Sequence, residues 1–503
     1  LCFLKFDLYS QVIVDSAESK LYLDSTIDGV PIIGINAPDD GISQNKFFEY
    51  NVGNRGLIIN NSIDYGLSKL GGYILGNSNF KDKEAEHILF DVTGLNISKL
   101  EGIQEIVGSK ANFILSNPNG LYINGYGFIN TNLVRLTTAE PAFTNQGLSY
   151  NISKGSITIG EEGLLLDQVS VADLIAKEIR IEGNINFSNP LRLLAGSATI
   201  DRISGKVTPI QSESQRIAID ISGDLNAGSI EIISTDEGAG VNSNGSLIFV
   251  EDFINISSSG EVTMVTDVVA SGSVKINSKD TILSNNNVFA QEHLIVSSNL
   301  LNLSSSNVTA LDTITFNLND HISEFSQVIS SKVTINADQQ VLKSVNIISN
   351  STQIDGDNIR ISSESVIVAL DRLLMSVDQL YHDSSLISSN MQIIISANNV
   401  INMGEITSKL LDIHSKATIS NLGTIAGDRM TMVSPTLNND GYINTRDDLL
   451  LNIDQLNQFG LVLSYGDMFI SSNVISNFDD GRIFSGRHLN LLSNDFLNFH
   501  LSL

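Results

Sequence analysis

From Gly404 onward the chain repeats one pattern five times, a glycine followed two residues later by a β-branched residue: Gly404/Ile406, Gly423/Ile425, Gly441/Ile443, Gly460/Val462 and Gly481/Ile483. The glycines are 19, 18, 19 and 21 residues apart. Seven or eight residues after each comes an alternating apolar pair: Leu411/Ile413, Met430/Met432, Leu449/Leu451, Met468/Ile470 and Leu489/Leu491. Residues i and i+2 of a strand share a face, so each repeat predicts a turn followed by short strands with one buried side.

The ladder of pairs extends upstream as Ile254/Ile256, Val274/Ile276, Leu294/Val296, Ile314/Phe316 and Val333/Ile335, at steps of 20, 20, 20 and 19. Beyond 335 it reads as Ile359/Ile361, Leu373/Met375 and Ile393/Ile395, with steps of 26, 14 and 20, as an insertion followed by one short coil would give. A unit of about 19 residues is too short for two helices, lacks the 3.6-residue period, and lacks the Leu-x-x-Leu-x-Leu spacing of leucine-rich repeats. It predicts an all-β chain, a parallel β-helix in which equivalent strands of successive coils stack. One coil cannot bury its own inward face, so stacking neighbours hold it. Asn and Gly are expected at the corners, where they adopt left-handed backbone conformations, and stacked asparagines are expected to form amide ladders.

Length agrees with an array: 503 residues exceed what one compact core holds. Hydrophobic residues make up 42% and charged residues only 17%. The formal charge of −27 speaks against nucleic acid as a partner, because phosphates would be repelled. Cys2 is the only cysteine, so no disulfide framework or thiolate metal cluster is expected. No stretch reaches the ~18 apolar residues of a membrane helix. Residues 1–9 read as a leader or the remnant of a signal peptide whose apolar run Lys5 and Asp7 interrupt.

In the amino-terminal half, the stretch ILSNPNGLYINGYGFINT, residues 114–131, is dense in turn chemistry. Pro118 presets φ at the first central position, Asn119 suits the second and Gly120 the exit, so Asn117 to Gly120 specify a type I turn. With GINAPDDGISQNKFFEYNVGNRGLIINNS (34–62), GGYILGNSNF (71–80), the wider segment 88–138 and AIDISGDLNAGSIEIISTDEGAGV (218–241), it resembles the secretion domain of two-partner-secretion exoproteins, the filamentous hemagglutinin and contact-dependent growth-inhibition family. The resemblance covers about residues 10 to 250, and the later coils resemble hemagglutinin repeats.

The resemblance implies a right-handed parallel β-helix with an amino-terminal cap and extra-helical strands over residues 10–250, followed by a repeat shaft over 251–503. It implies export from a Gram-negative bacterium, through the periplasm, by a dedicated outer-membrane β-barrel transporter whose periplasmic domains recognise the amino-terminal domain. The family's N-P-N-G motif is matched by Asn117, Pro118, Asn119 and Gly120. Its N-P-N-L motif stands here as Asn77, Ser78, Asn79 and Phe80, and both are linked to secretion. The same turns also end strands and help nucleate the first coils, and the two roles coexist. Where some relatives carry a cysteine pair, this chain has Tyr122 and Tyr126. The shaft is expected to attach to a receptor or glycan on a host or bacterial surface, with no cofactor. The rival expectation is the front of a growth-inhibition toxin.

β-Helices also carry polysaccharide lyases and hydrolases, which need carboxylates clustered on one face. The doublets Asp39/Asp40, Asp447/Asp448 and Asp479/Asp480 fall on distant coils beside turn residues and read as solvated turns. His87, His293, His321, His382, His414, His488 and His500 lack metal-ligand spacing and read as surface residues. No catalytic residue is assigned, and the chain reads as a non-enzyme.

Overall fold

The computed structural model describes residues 12–15, 20–144, 147–210, 212, 217–478 and 480–499. Cys2, the leader at 1–9, Asp479 and His500 lie outside the described residues. Every regular element among the described residues is a β-strand. The chain forms two compact units, one running to Gly272 with Asn277–Lys279, the other comprising Ser273–Ile276 and the chain from Asp280.

The first unit is a solenoid of three parallel ladders. One stacks Leu57–Asn61, Ile103–Gly108, Tyr126–Ile129 and Leu164–Leu165. The second stacks Ile42–Tyr50, His87–Val92, Ala111–Ser116, Thr131–Thr137, Val171–Ala176, Pro190–Ala195 and Ser229–Ser234. The third stacks Ser98–Leu100, Leu121–Ile123, Ser156–Ile159, Glu178–Ile181, Ile217–Ile221 and Gly240–Ser243. Tyr22–Ser25 lies antiparallel on Pro31–Gly34, and Pro31–Gly34 starts the parallel ladder on Leu57–Asn61, so the amino-terminal strands form a cap. Phe47, Tyr50, Phe90, Phe113, Tyr126 and Phe128 pack ring to ring inside the first coils.

Two excursions leave the second ladder and meet in one antiparallel sheet outside the coils: Glu140–Thr144 and Gly147–Ile152 from one coil, Ala198–Asp201 and Val207–Pro209 from another. Tyr150, Ile152, Ala198 and Ile200 cover Leu89, Ile114, Ile175 and Leu194 in a second apolar core. The covered strands are therefore buried on both faces, as in Phe90, Asp91 and Val92 or Leu174, Ile175 and Ala176. Asp173 sits under the sheet between Arg135 and Arg192, 2.9 Å from each guanidinium, and Arg135 also donates to the carbonyls of Arg202 and Ile203. Arg202 in turn reaches Asp91 at 3.2 Å, and the Tyr150 hydroxyl donates to Asp91 at 2.7 Å. Burial raises the Asp91 carboxyl above its ordinary range, and the Arg202 charge opposes the shift.

In the second unit the Leu294/Val296 ladder passes through Ile314/Phe316 and Val333/Ile335 to Thr352/Ile354 and then Leu373/Met375. This corrects the reading of an insertion and a short coil. The steps are 19 and 21, and Ile359/Ile361 belongs to a different strand position, between Gln340/Leu342 and Leu380/His382. Thr352 hid the ladder because it is polar. It is nonetheless fully buried, with its hydroxyl 2.6 Å from that of Ser349.

The later repeats pair as read: Ile406 on Ile425, Ile425 on Ile443, Ile443 on Val462 and Val462 on Ile483. Their glycines serve close approach and not a left-handed turn. A Cβ on Gly423 would lie 2.1 Å from the Gly404 carbonyl oxygen, and one on Gly441 equally close to that of Gly423. Left-handed corners fall instead on Asn285, Ser305, Phe325, Ser344, Ser363 and Ser384. Behind the glycines runs a buried amide ladder: Asn402 donates to Asn421 at 2.8 Å, Asn421 to Asn439 at 2.8 Å, and Asn439 to Gln458 at 3.1 Å.

Two histidines correct the surface reading. His382 is buried with Nδ1 2.7 Å from Asn402 Oδ1, joining the amide ladder, and His321 is buried against the Phe316 ring. Among the described residues neither His321 ring nitrogen has a hydrogen-bond partner, and burial pushes its pKa down to about 4.

Candidate functional site

The two asparagine motifs build the same turn in different coils. At the end of Ala111–Ser116, the Gly120 N–H donates to the Asn117 carbonyl at 3.0 Å, closing the turn over Pro118 and Asn119. Asn119 does not have a positive φ, which makes the turn type I. Asn117 Oδ1 accepts the Asn119 N–H at 3.0 Å, and Asn117 Nδ2 donates to the Asn96 carbonyl and Ser98 Oγ, each at 3.0 Å. Asn119 Nδ2 donates to the Gly94 carbonyl at 2.8 Å. Gly120 has φ 128°, and a Cβ there would lie 3.0 Å from the Ser156 carbonyl oxygen. One turn thus holds segments of two neighbouring coils.

At the other motif, the Phe80 N–H donates to the Asn77 carbonyl at 2.9 Å and the Asn79 N–H to Asn77 Oδ1 at 3.0 Å. Asn77 Nδ2 donates to the Ile35 and Asn60 carbonyls, both at 2.9 Å, and Asn79 Nδ2 to the Ile35 carbonyl at 3.1 Å. Ser78 takes the place of proline without loss of the turn, because the Asn77 side chain mimics a backbone turn. Phe80 takes the place of leucine as a buried apolar anchor. Both leading asparagines are buried, and each satisfies its side chain with backbone groups of its own turn and of an adjoining segment.

Further site-building residues carry no motif. Glu105 is buried, and it accepts the Ser68 hydroxyl at 2.6 Å and the N–H groups of Lys69 and Leu70 at 2.7 and 2.9 Å. It fixes the hairpin of Gly66–Ser68 and Gly72–Ile74 to the solenoid. Gln104 accepts the hydroxyls of Tyr50 and Tyr126, at 2.5 and 2.6 Å. Burial raises both phenols above their ordinary range, so they remain neutral donors. The available signal was Gln104 and Glu105 inside the otherwise apolar strand Ile103–Gly108. Tyr126 therefore has a structural place of its own inside the first coils.

Asp39 and Asp40 lie at an exposed turn, with Asp40 at positive φ, and Asp448 pairs with Arg487 at 2.9 Å. Among the described residues no group of three or more His, Cys, Asp or Glu side chains is placed to hold a metal.

Residues 10–264 match the family model of the TPS secretion domain. The chain belongs to this two-partner-secretion family. TPS exoproteins pass through the periplasm and across the outer membrane to the cell surface. The TPS domain here is 36% identical over 270 residues to the 16S rRNA endonuclease CdiA of Enterobacter cloacae subsp. cloacae, covering 52% of this chain and 8% of that protein. It is 30% identical over 260 residues to the filamentous hemagglutinin of Bordetella pertussis, covering 49% and 7%. The chain thus spans less than a tenth of the length of these curated relatives. The crystal structure of a filamentous hemagglutinin secretion domain is similar with a TM-score of 0.46 and 24% identity, covering 61% of this chain and 96% of that one. The matched residues form a secretion domain and not a catalytic one.

Proposed function

We propose that residues 10–250 are the export signal of a surface-attachment protein, read in the periplasm by a dedicated outer-membrane β-barrel transporter. Asn117, Pro118, Asn119, Gly120, Asn77 and Asn79 shape the part that is read. Residues 251–503 act as a β-helical shaft that attaches to a receptor or glycan on a host or bacterial surface, and residues 1–9 are a leader or the remnant of a signal peptide. The observation that supports this reading is the pair of asparagine turns, built alike in separate coils of a TPS domain although one has lost its proline. A rigid, repeated surface suits weak attachment at many points.

The test is release of the chain, carrying a working signal peptide, from Gram-negative cells with and without the cognate transporter. Transporter-dependent release supports the reading, and equal release in both strains sinks it. A second reading, the front of a contact-dependent growth-inhibition toxin, is favoured by the relatives named CdiA. Sequencing downstream separates them, since a compact non-repetitive domain beside an immunity gene supports the toxin.

A further inference from the structure

The hairpin Gly66–Ser68 and Gly72–Ile74 turns large apolar residues outward: Tyr65, Leu67, Tyr73 and Leu75 are 73%, 71%, 80% and 82% exposed. Isolated exposed side chains are ordinary, but four on one short hairpin are not. The hairpin is also firmly held. Glu105 binds its turn, Asn60 Nδ2 donates to the Leu75 carbonyl at 2.8 Å, and the Asn77 N–H donates to the Ser62 carbonyl at 2.7 Å. Its apolar face is therefore presented in a fixed place.

Beside it lies a slot of about 440 Å³, bordered by Tyr22, Asp24 and Asp28 on the cap side and by Tyr73 and Leu75 on the hairpin, with Ile32 among its lining residues. Among the described residues, Tyr22–Ser25 pairs with Pro31–Gly34 alone, and Gly72–Ile74 with Gly66–Ser68 alone. Each bordering strand thus leaves one edge without a strand partner, which is a template for strand addition. The lining holds two carboxylates and no Lys, Arg or His, in a chain of net charge −27. Charge disfavours a second copy of this chain and favours a cationic occupant.

We infer that this slot receives an extended strand of a second protein, cationic and apolar at alternate residues, by strand addition between the cap and the hairpin. The apolar residues seat against Tyr73, Leu75 and Ile32, and the cationic ones meet Asp24 and Asp28. This goes beyond the export reading and does not depend on it, because Glu105, Asn60 and Asn77 hold the hairpin whether or not a transporter reads the asparagine turns.

The probe is a fluorescent nine-residue peptide alternating Lys and Val, titrated by anisotropy against the full chain at physiological salt. Saturable binding is expected, weakened at least tenfold by Tyr73→Asp or Leu75→Asp and severalfold by Asp24→Asn with Asp28→Asn. Leu492→Asp, at an exposed site in the other unit, should bind as the parent does. The same peptide N-methylated at alternate residues keeps its charge but cannot pair as a strand, and should not bind. Equal binding of the methylated peptide, equal binding to Leu75→Asp, or no saturable binding would each overturn the inference. Self-association in sedimentation velocity that Leu75→Asp abolishes would overturn it too, by assigning the slot to a second copy. The substituted residues are exposed, and an unchanged circular dichroism spectrum confirms that each variant is folded.

Discussion

Asn77 and Asn117 are the same residue in two coils: each side-chain oxygen accepts the N–H two residues on, at 3.0 Å in both, and each side-chain nitrogen binds backbone of an adjoining segment. Replacing either with alanine removes the amide that closes the turn and ties it to the adjoining segment, at the Asn60 carbonyl for Asn77 and at Ser98 Oγ for Asn117. Each change should lower stability by about 1–3 kcal/mol, seen as a lower urea midpoint. Asn119→Ala should cost less because its side chain is less buried. If Asn77→Ala leaves the midpoint unchanged, the turn is held by something other than its amide.

Ser78 stands where Pro118 stands in the other turn. Ser78→Pro is therefore expected to be accepted, and to raise stability by about 0.4–1 kcal/mol through the unfolded chain, which loses freedom it would otherwise have. A lowered midpoint would show that the two turns differ at this position after all.

Gly441 has no room for a Cβ, since the Gly423 carbonyl oxygen lies 2.1 Å from where it would stand. Gly441→Ala must separate two stacked coils and should cost several times the ~1 kcal/mol expected of Gly72→Ala, where space is open and only the left-handed φ of 71° resists. Comparable losses in thermal unfolding would contradict the stacking account.

Asp173 lies between two guanidiniums beneath the extra-helical sheet. Asp173→Ala strands Arg135 as a buried, uncompensated charge, and a loss of about 3–5 kcal/mol is expected. Proteolysis should then cut first in the 198–209 hairpin, whose carbonyls Arg135 binds. Unchanged protection there would show that the apolar contacts alone hold the sheet.

His321 sets a pH dependence in the second unit. Burial lowers its pKa from 6.5 to about 4, so between those values the unfolded chain takes up a proton that the folded chain refuses. Stability is therefore full above about pH 6.5 and falls as pH drops toward 4, by on the order of 3 kcal/mol. His382 shifts in the same direction. His321→Leu should flatten part of the slope of urea midpoint against pH. An unaltered slope would assign the acid sensitivity elsewhere.

Some of this was legible in the residues alone. The alternation at Leu294/Val296 or Leu449/Leu451 identifies strands with one buried face, and the spacing of about 19 residues identifies coils, because period and burial are local consequences of a pleated strand stacked on its copies. Asn117 to Gly120 likewise specify their own turn. Pattern failed where polar residues are buried: Thr352 broke the visible ladder, and His321 and His382 read as surface. It also failed at Leu89 and Ile175, where the extra-helical sheet covers a second face and removes the alternation.

The sequence by itself determined the coil: its length, its inward residues and its asparagine turns, all of which depend on neighbours a few residues away or one repeat away. Only the tertiary structure decided what Glu105, Asp173 and the stacked glycines are for. Glu105 holds a hairpin more than 30 residues upstream in the chain. Asp173 joins Arg135 and Arg192 from different coils, and each glycine is required by a carbonyl of the coil before it. A buried charge or a missing Cβ acquires its meaning from groups that only folding brings within a few ångströms.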